Sequence, residues 1–157
     1  MDIYRVSFIG HREVDDFFFV EDQVDSVVRE LINSKEYVEF YVGRNGEFDT
    51  IVASVIKRAK RELGEHNSSL ILVIPYPVAD MEAYENYYDE VEYPRELHKV
   101  HYKSAITKRN EWLVENSDML VAYVVRDYGG AAHCLNKAIE RGIEIKRVDR
   151  VSVERNG

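Results

Sequence analysis

Three short stretches of this chain combine glycine with cationic or carboxylate side chains. They are Gly10-His11-Arg12, Gly43-Arg44-Asn45-Gly46-Glu47-Phe48-Asp49 and Arg126-Asp127-Tyr128-Gly129-Gly130-Ala131-Ala132-His133. Glycine lets a backbone approach a phosphate with no Cβ in the way, and a helix that starts there offers unpaired N–H groups at its positive dipole end. Gly46 and Gly129-Gly130 are two such places. Arg12, Arg44 and Arg109 are candidate clamps, because a guanidinium presents a planar fork of donors that fits phosphate or carboxylate. The plainer alternative for each is a solvated arginine. Asp49 could accept a ribose hydroxyl, or serve only as a dipole partner in the first turn of a helix. Neither glycine turn matches the dinucleotide fingerprint or the lysine-containing phosphate loop, so the argument rests on both occurring together.

Other groupings point to less. His98 and His101 are three apart, but no third ligand of suitable spacing accompanies them, so no metal is expected. His133 and Cys134 are adjacent and would point apart on a helix, which makes the lone cysteine a packing residue. Trp112 reads as core filler.

The elements that must position these residues follow from periodicity. Ile3–Ile9 is a buried strand stopping at Gly10, and Phe17, Val20, Val24, Val27, Val28 and Leu31 mark a helix over 15–33. The pattern repeats with a strand at Tyr37–Val42 and a helix over 48–64 bearing Ile51, Val52, Val55, Ile56, Ala59 and Leu63. Leu70–Ile74 gives a third strand, closed by Pro75-Tyr76-Pro77. Residues 78–102, acidic and tyrosine-rich, are expected to form a loop or short-helix lid in which Tyr84, Tyr87 or Tyr88 could stack on a base. A helix over about 104–116, a strand Met119–Val124, a helix from Gly130 ended by a left-handed Gly142, and a strand Ile143–Val148 complete the chain. Alternating strands and helices predict a Rossmann-like α/β three-layer sandwich, with a mainly parallel five-stranded sheet. The sheet rule then places ligand contacts beyond the carboxyl ends of the strands, where the three stretches lie.

Composition bounds the function classes. A chain of 157 residues with 45% apolar content is expected to form a single domain, 1–157. No apolar run is long enough to span a bilayer and no signal pattern opens the chain, so a cytoplasmic protein without a membrane partner is expected. A single cysteine rules out an internal disulfide. The formal charge of −8 disfavours nucleic acid as a partner, although seven acids against one base in residues 80–96 concentrate most of that charge in one place. An anion site elsewhere remains permissible. Self-association as a homodimer is a further expectation.

The combined pattern resembles a known family. Gly-His-Arg after the first strand, Gly-Arg-Asn-Gly-Glu-Phe-Asp after the second, Lys108-Arg109-Asn110 opening a helix, Ser117-Asp118 before the fourth strand, and then Gly129-Gly130 with an alanine-bearing helix resemble the SLOG superfamily. The likeness runs from about residue 3 to 148 and is nearest the YpsA and YspA-related, cpYpsA-like branch. It implies a Rossmannoid pocket for nucleotides or their derivatives, held by Gly10, His11, Arg12, Gly43, Arg44, Gly46, Asp49, Arg109, Asn110, Gly129, Gly130 and His133, with no cofactor. The LOG-type phosphoribohydrolases, named for their likeness to lysine decarboxylases, carry Pro-Gly-Gly-x-Gly-Thr-x-x-Glu; this chain has Tyr128-Gly129-Gly130-Ala131-Ala132-His133-Cys134-Leu135-Asn136. Asn136 stands where their catalytic glutamate does, and an amide cannot act as a general base. A sensing or sequestering module is therefore the expected function. The alternative is an N-glycosidic-bond hydrolase or transferase that uses Glu47 or Asp49 in its place.

Overall fold

The computed structural model describes residues 1–150. The last residues of the expected domain, 151–157, lie outside the described part. The elements run β1 (Ile3–Gly10), α1 (Phe17–Ser34), β2 (Tyr37–Val42), α2 (Glu47–Leu63), β3 (Ser68–Val73), α3 (Met81–Tyr87), β4 (Glu90–Glu92), a 3-10 turn (Arg95–Leu97), α4 (Tyr102–Glu115), β5 (Met119–Tyr123), α5 (Gly130–Arg141) and β6 (Glu144–Arg147).

The strands form one sheet in the order β4-β3-β2-β1-β5-β6, and each neighbouring pair is parallel. Six strands replace the five expected. The added one is β4, which lies in the acidic segment and pairs Ile71–Val73 with Glu90–Glu92. Asp89 fastens it: its N–H donates to the Leu70 carbonyl, and its carboxylate accepts from the Leu70 N–H at 2.7 Å. The buried Lys60 ammonium lies 3.4 Å from the same carboxylate and donates to the Ser68 carbonyl at 2.7 Å.

Period-two alternation divides the core between two faces. Val6, Phe8, Phe40, Val42, Val121 and Tyr123 pack under the apolar stripes of α1 and α2. On the opposite face Ile9, Leu120 and Ala122 meet α5, while Tyr41, Ile71 and Val73 meet Leu113 of α4. This is a three-layer sandwich. From β1 the chain moves outward one way through β2, β3 and β4, then returns to place β5 on the other side of β1. The connections before and after therefore leave β1 and β5 on opposite faces, and a crevice opens between their carboxyl ends. No helix among the described residues is long and apolar enough to cross a membrane.

Candidate functional site

A cavity of about 280 Å³ occupies that crevice, and the ends of β1, β2 and β5 reach it together with α4. Of the residues singled out by sequence, Gly10, His11, Arg12, Gly46, Asp49, Arg109, Asn110 and Gly130 line it. Gly43 lies beneath: a Cβ there would stand 3.1 Å from both Arg109 Nη1 and Asp49 Oδ2. Gly129 precedes Gly130 as the α5 N-cap. His133 is exposed on α5, one turn on. Arg44 faces neighbouring cavities instead, and Glu47 lines the broad open one beside it. Ile9, Asn45, Ile106, Arg126 and Ala131 also line the crevice and were not in the expected set. Arg126 opens the third of the glycine-bearing stretches, and its place just past β5 was the signal that could have added it to the set.

The floor of the cavity is polar and buried. His11, Arg109 and Asn110 are 4%, 5% and 5% exposed. Arg109 donates through Nε to Asn110 Oδ1 at 3.0 Å and through Nη1 to the Val73 carbonyl at 3.2 Å, so α4 delivers a guanidinium braced against the end of β3. Burial pulls its pKa down and the nearby Asp49 opposes that pull. His11 accepts the Val125 N–H through Nε2 at 3.0 Å, which leaves the neutral ring's proton on Nδ1. Its pKa is held below 6.5, first by burial and then by Arg126. Tyr123 meets the His11 ring edge-on at 5.8 Å and stacks on Phe48 at 6.0 Å. Gly10 completes this packing, because a Cβ on it would come within 2.5 Å of the Phe48 ring. The absence of a side chain at Gly10 thus serves the core as much as any ligand.

The two glycine-bearing helix starts differ in what they leave free. At α2, a Cβ on Gly46 would stand 2.6 Å from the Arg12 Cα, so glycine is required for the two loops to meet. The Glu47 N–H donates to the Arg12 carbonyl at 2.8 Å, and the Glu47 carboxylate accepts the Val14 N–H at 2.7 Å. Asp49 accepts the Asn45 N–H at 2.9 Å and takes up the Gly46 N–H as well. It acts as the backward-reaching acid of a capping box. At the Gly46 turn some of the donors are therefore engaged within the protein, by the Asp49 carboxylate and by the Arg12 carbonyl. Burial still raises the Asp49 pKa, against the lowering effect of Asn45, Arg109 and Gly46.

At α5 the situation is reversed. The first N–H groups of a helix lack a carbonyl one turn earlier. Gly129 brings no side chain to cap them, and no acid occupies the first turn. A Cβ on Gly130 would meet nothing nearer than Asn110 Nδ2 at 4.0 Å, so the helix start opens on free space. Arg12 and Arg126 stand at the mouth of the same cavity, both exposed.

The remaining sequence candidates have local roles. Cys134 is buried in the α5 packing, where burial pushes its thiol up to about 12. Asn136 is exposed. His101 caps α4 by accepting the Lys103 N–H, and Trp112 packs on Tyr41 while donating to Glu96 at 2.7 Å. Of the three tyrosines considered for stacking, Tyr84 lines a cavity, whereas Tyr88 packs against the core and Tyr87 packs on Tyr88.

Compared with described protein families and with curated proteins, the sequence has no match. Its fold is similar to solved structures. It superposes on DNA processing protein A of Streptococcus pneumoniae with a TM-score of 0.67 at 16% identity, over 92% of this chain and 50% of that one. For DNA processing protein A of Helicobacter pylori, described by its single-stranded DNA binding mode, the TM-score is 0.63 at 14% identity, over 92% and 64%. For the molybdenum cofactor carrier protein of Chlamydomonas reinhardtii it is 0.61 at 12% identity, over 99% and 83%. The chain thus spans half, or less than two thirds, of the DNA processing proteins. At such identities the likeness establishes a Rossmann-like fold and no more. It lends no support to the expectation from net charge that nucleic acid is disfavoured as a partner, since one similar fold is described by its single-stranded DNA binding mode.

Proposed function

We propose that this chain is a binding module of the SLOG kind, whose crevice between β1 and β5 takes the phosphate of a nucleotide or nucleotide derivative. The observation that carries this reading is the pairing of an uncapped, acid-free α5 start with Arg12, Arg109 and Arg126 on one cavity. Among the described residues Arg5, Arg29, Arg58, Arg147 and Arg150 each form an ion pair with a carboxylate; Arg12 and Arg126 form none, and Arg109 has only the charge of the nearby Asp49 opposite it. In a chain of 29 acids and 21 bases, three arginines around one polar cavity that has a single carboxylate, Asp49, in its lining favour an anionic occupant. The floor adds neutral donors, the His11 ring and the Asn110 amide, which can offset part of a phosphate's lost hydration.

Titration calorimetry with a panel of nucleotides tests this. Arg126→Ala should weaken binding by about 1.5 to 3 kcal/mol, the usual worth of a charged hydrogen bond. Gly130→Val should abolish it by standing in front of the free N–H groups, while the fold tolerates the change because the space around that Cβ is open. Nucleotides that bind wild type and both variants equally well would place the ligand elsewhere.

One observation favours an enzyme: Asp49 lines the cavity, and burial raises its pKa as a general acid requires. Against it, that carboxylate is engaged by the Asn45 and Gly46 N–H groups. Free base released from a nucleotide by wild type, and not by Asp49→Asn, would establish glycosidic chemistry.

A further inference from the structure

Three cavities lie side by side along the carboxyl rim of the sheet. The crevice shares Arg12, Asn45 and Gly46 with the open cavity of about 730 Å³, and that cavity shares Arg44 with a third, of about 310 Å³. Arg44 follows β2 and joins them. Its Nε is buried without a hydrogen-bond partner, it pairs with no carboxylate among the described residues, and its guanidinium lies 5.3 Å from the centroid of the Tyr84 ring. A single hydrogen bond of 3.4 Å, from Nη1 to the Tyr84 hydroxyl, is what holds it. A buried guanidinium N–H left unsatisfied is costly unless a ligand completes it.

The third cavity is chemically unlike the crevice. Tyr76, Pro77 and Tyr84 give it aromatic and apolar walls, and Asp80 gives it one carboxylate. Arg44 is its one cation, so a phosphate is favoured only at that guanidinium and not along the rest of the wall. A planar base can stack on the rings, and the carboxylate can accept from a ribose hydroxyl or an exocyclic amine. From the α5 start beyond β5 to Tyr76 beyond β3 is three strand spacings, roughly 14 Å, which is longer than one nucleotide reaches from its phosphate to its base.

Resting on the phosphate reading of the crevice, we infer that the site takes a dinucleotide, with one nucleotide's phosphate at α5, the second phosphate on Arg44 and the second nucleoside between Tyr76 and Tyr84. The ligand ends there. Glu82 and Glu85 on α3 and Glu90 and Glu92 on the edge strand β4, next to β3, add negative charge to that side of the sheet, which opposes any further phosphate.

The test is calorimetry on the full chain with the four 5′-mononucleotides, the matching 5′-phosphorylated dinucleotides and 5′-phosphorylated pentanucleotides. The best dinucleotide should bind wild type at least tenfold more tightly than its mononucleotide, and the pentanucleotide no more tightly than the dinucleotide. Tyr84→Ala and Arg44→Ala should each bring the dinucleotide down to about the mononucleotide's affinity, and Tyr84→Phe should retain the advantage. Tyr84 sits on a helix with no buried residue, so its replacement leaves the core intact. A dinucleotide no tighter than a mononucleotide, an advantage that survives both alanine variants, or a pentanucleotide tenfold tighter than the dinucleotide overturns the inference. In each of those cases mononucleotide binding that still depends on Arg126 leaves the phosphate reading standing. Absence of all nucleotide binding removes both.

Discussion

At the scale of single residues, the site is defined by which polar groups are already engaged. Asp49 and Glu47 carry the carboxylates that sequence offers to an enzyme, yet Asp49 holds the Asn45 N–H of its own loop and Glu47 the Val14 N–H of the neighbouring one. His11 shows the same logic with a measurable consequence. Its Nε2 accepts from Val125, so protonation breaks that bond, and burial with Arg126 nearby keeps the folded-state pKa below 6.5. Because the unfolded chain then takes up a proton first, the His11 contribution is fully present above pH 6.5 and is lost as pH falls from there through the folded value. Urea midpoints for wild type should drop over that window. His11→Gln should flatten this part of the profile, and identical pH profiles for the two proteins would show that the ring does not report on folding. The position of Gly10-His11-Arg12 was legible because a buried strand ending in glycine must deliver the next residues to the rim. The division of labour was not, since no sequence pattern reveals that the Gly10 Cβ position is occupied by Phe48, fully 38 residues on.

At the scale of elements, the strands and helices with long apolar periods were readable, and β4 was not. It has three residues, Glu90-Val91-Glu92, at the sheet edge with both glutamates exposed, so neither length nor an apolar run announces it. Its place comes from tertiary partners: the Asp89 carboxylate, Lys60 and the backbone of β3. This divides the acidic segment into parts of unequal expected stability. The amides of Asp89 and of Ile74, which donate to Leu70 and Glu92, belong to the sheet. Helix α3 buries no residue and begins at Asp80 in the left-handed region. The lid expected over 78–102 is thus proposed to move in its first part, 78–88, and to be anchored from Asp89 onward. Hydrogen exchange should find the α3 amides fast in the free protein and slower with a nucleotide bound, and the Asp89 amide slow in both. Lys60→Met should speed the Asp89 amide by removing one of its anchors. Slow exchange throughout α3 in the free protein would leave no mobile cover.

At the scale of the whole molecule, a net charge of −8 coexists with four rim arginines that pair with no carboxylate among the described residues. The two facts make different demands on a ligand. A long polyanion laid across the surface must approach an acidic body and contact many cations, and each phosphate contact to a single strand contributes about 0.7 to the salt slope of binding. A ligand with one or two phosphates held in a crevice makes few contacts, and its partly enclosed ion pairs are screened less than surface ones. The salt slope therefore separates a small-molecule pocket from the single-stranded DNA mode described for one similar fold. For mononucleotides and dinucleotides, log affinity against log salt between roughly 50 and 200 mM should have a slope no steeper than about −2, since each phosphate releases about one counterion. Added oligonucleotide should show no steeper dependence, because the acidic stretch beyond Tyr84 limits the phosphates that can be engaged. A slope of about −4 or steeper with a twenty-residue single strand, accompanied by tighter binding than any dinucleotide, would require about six phosphate contacts or more. It would mean that the rim arginines track a nucleic-acid backbone and that the cavities receive bases from it.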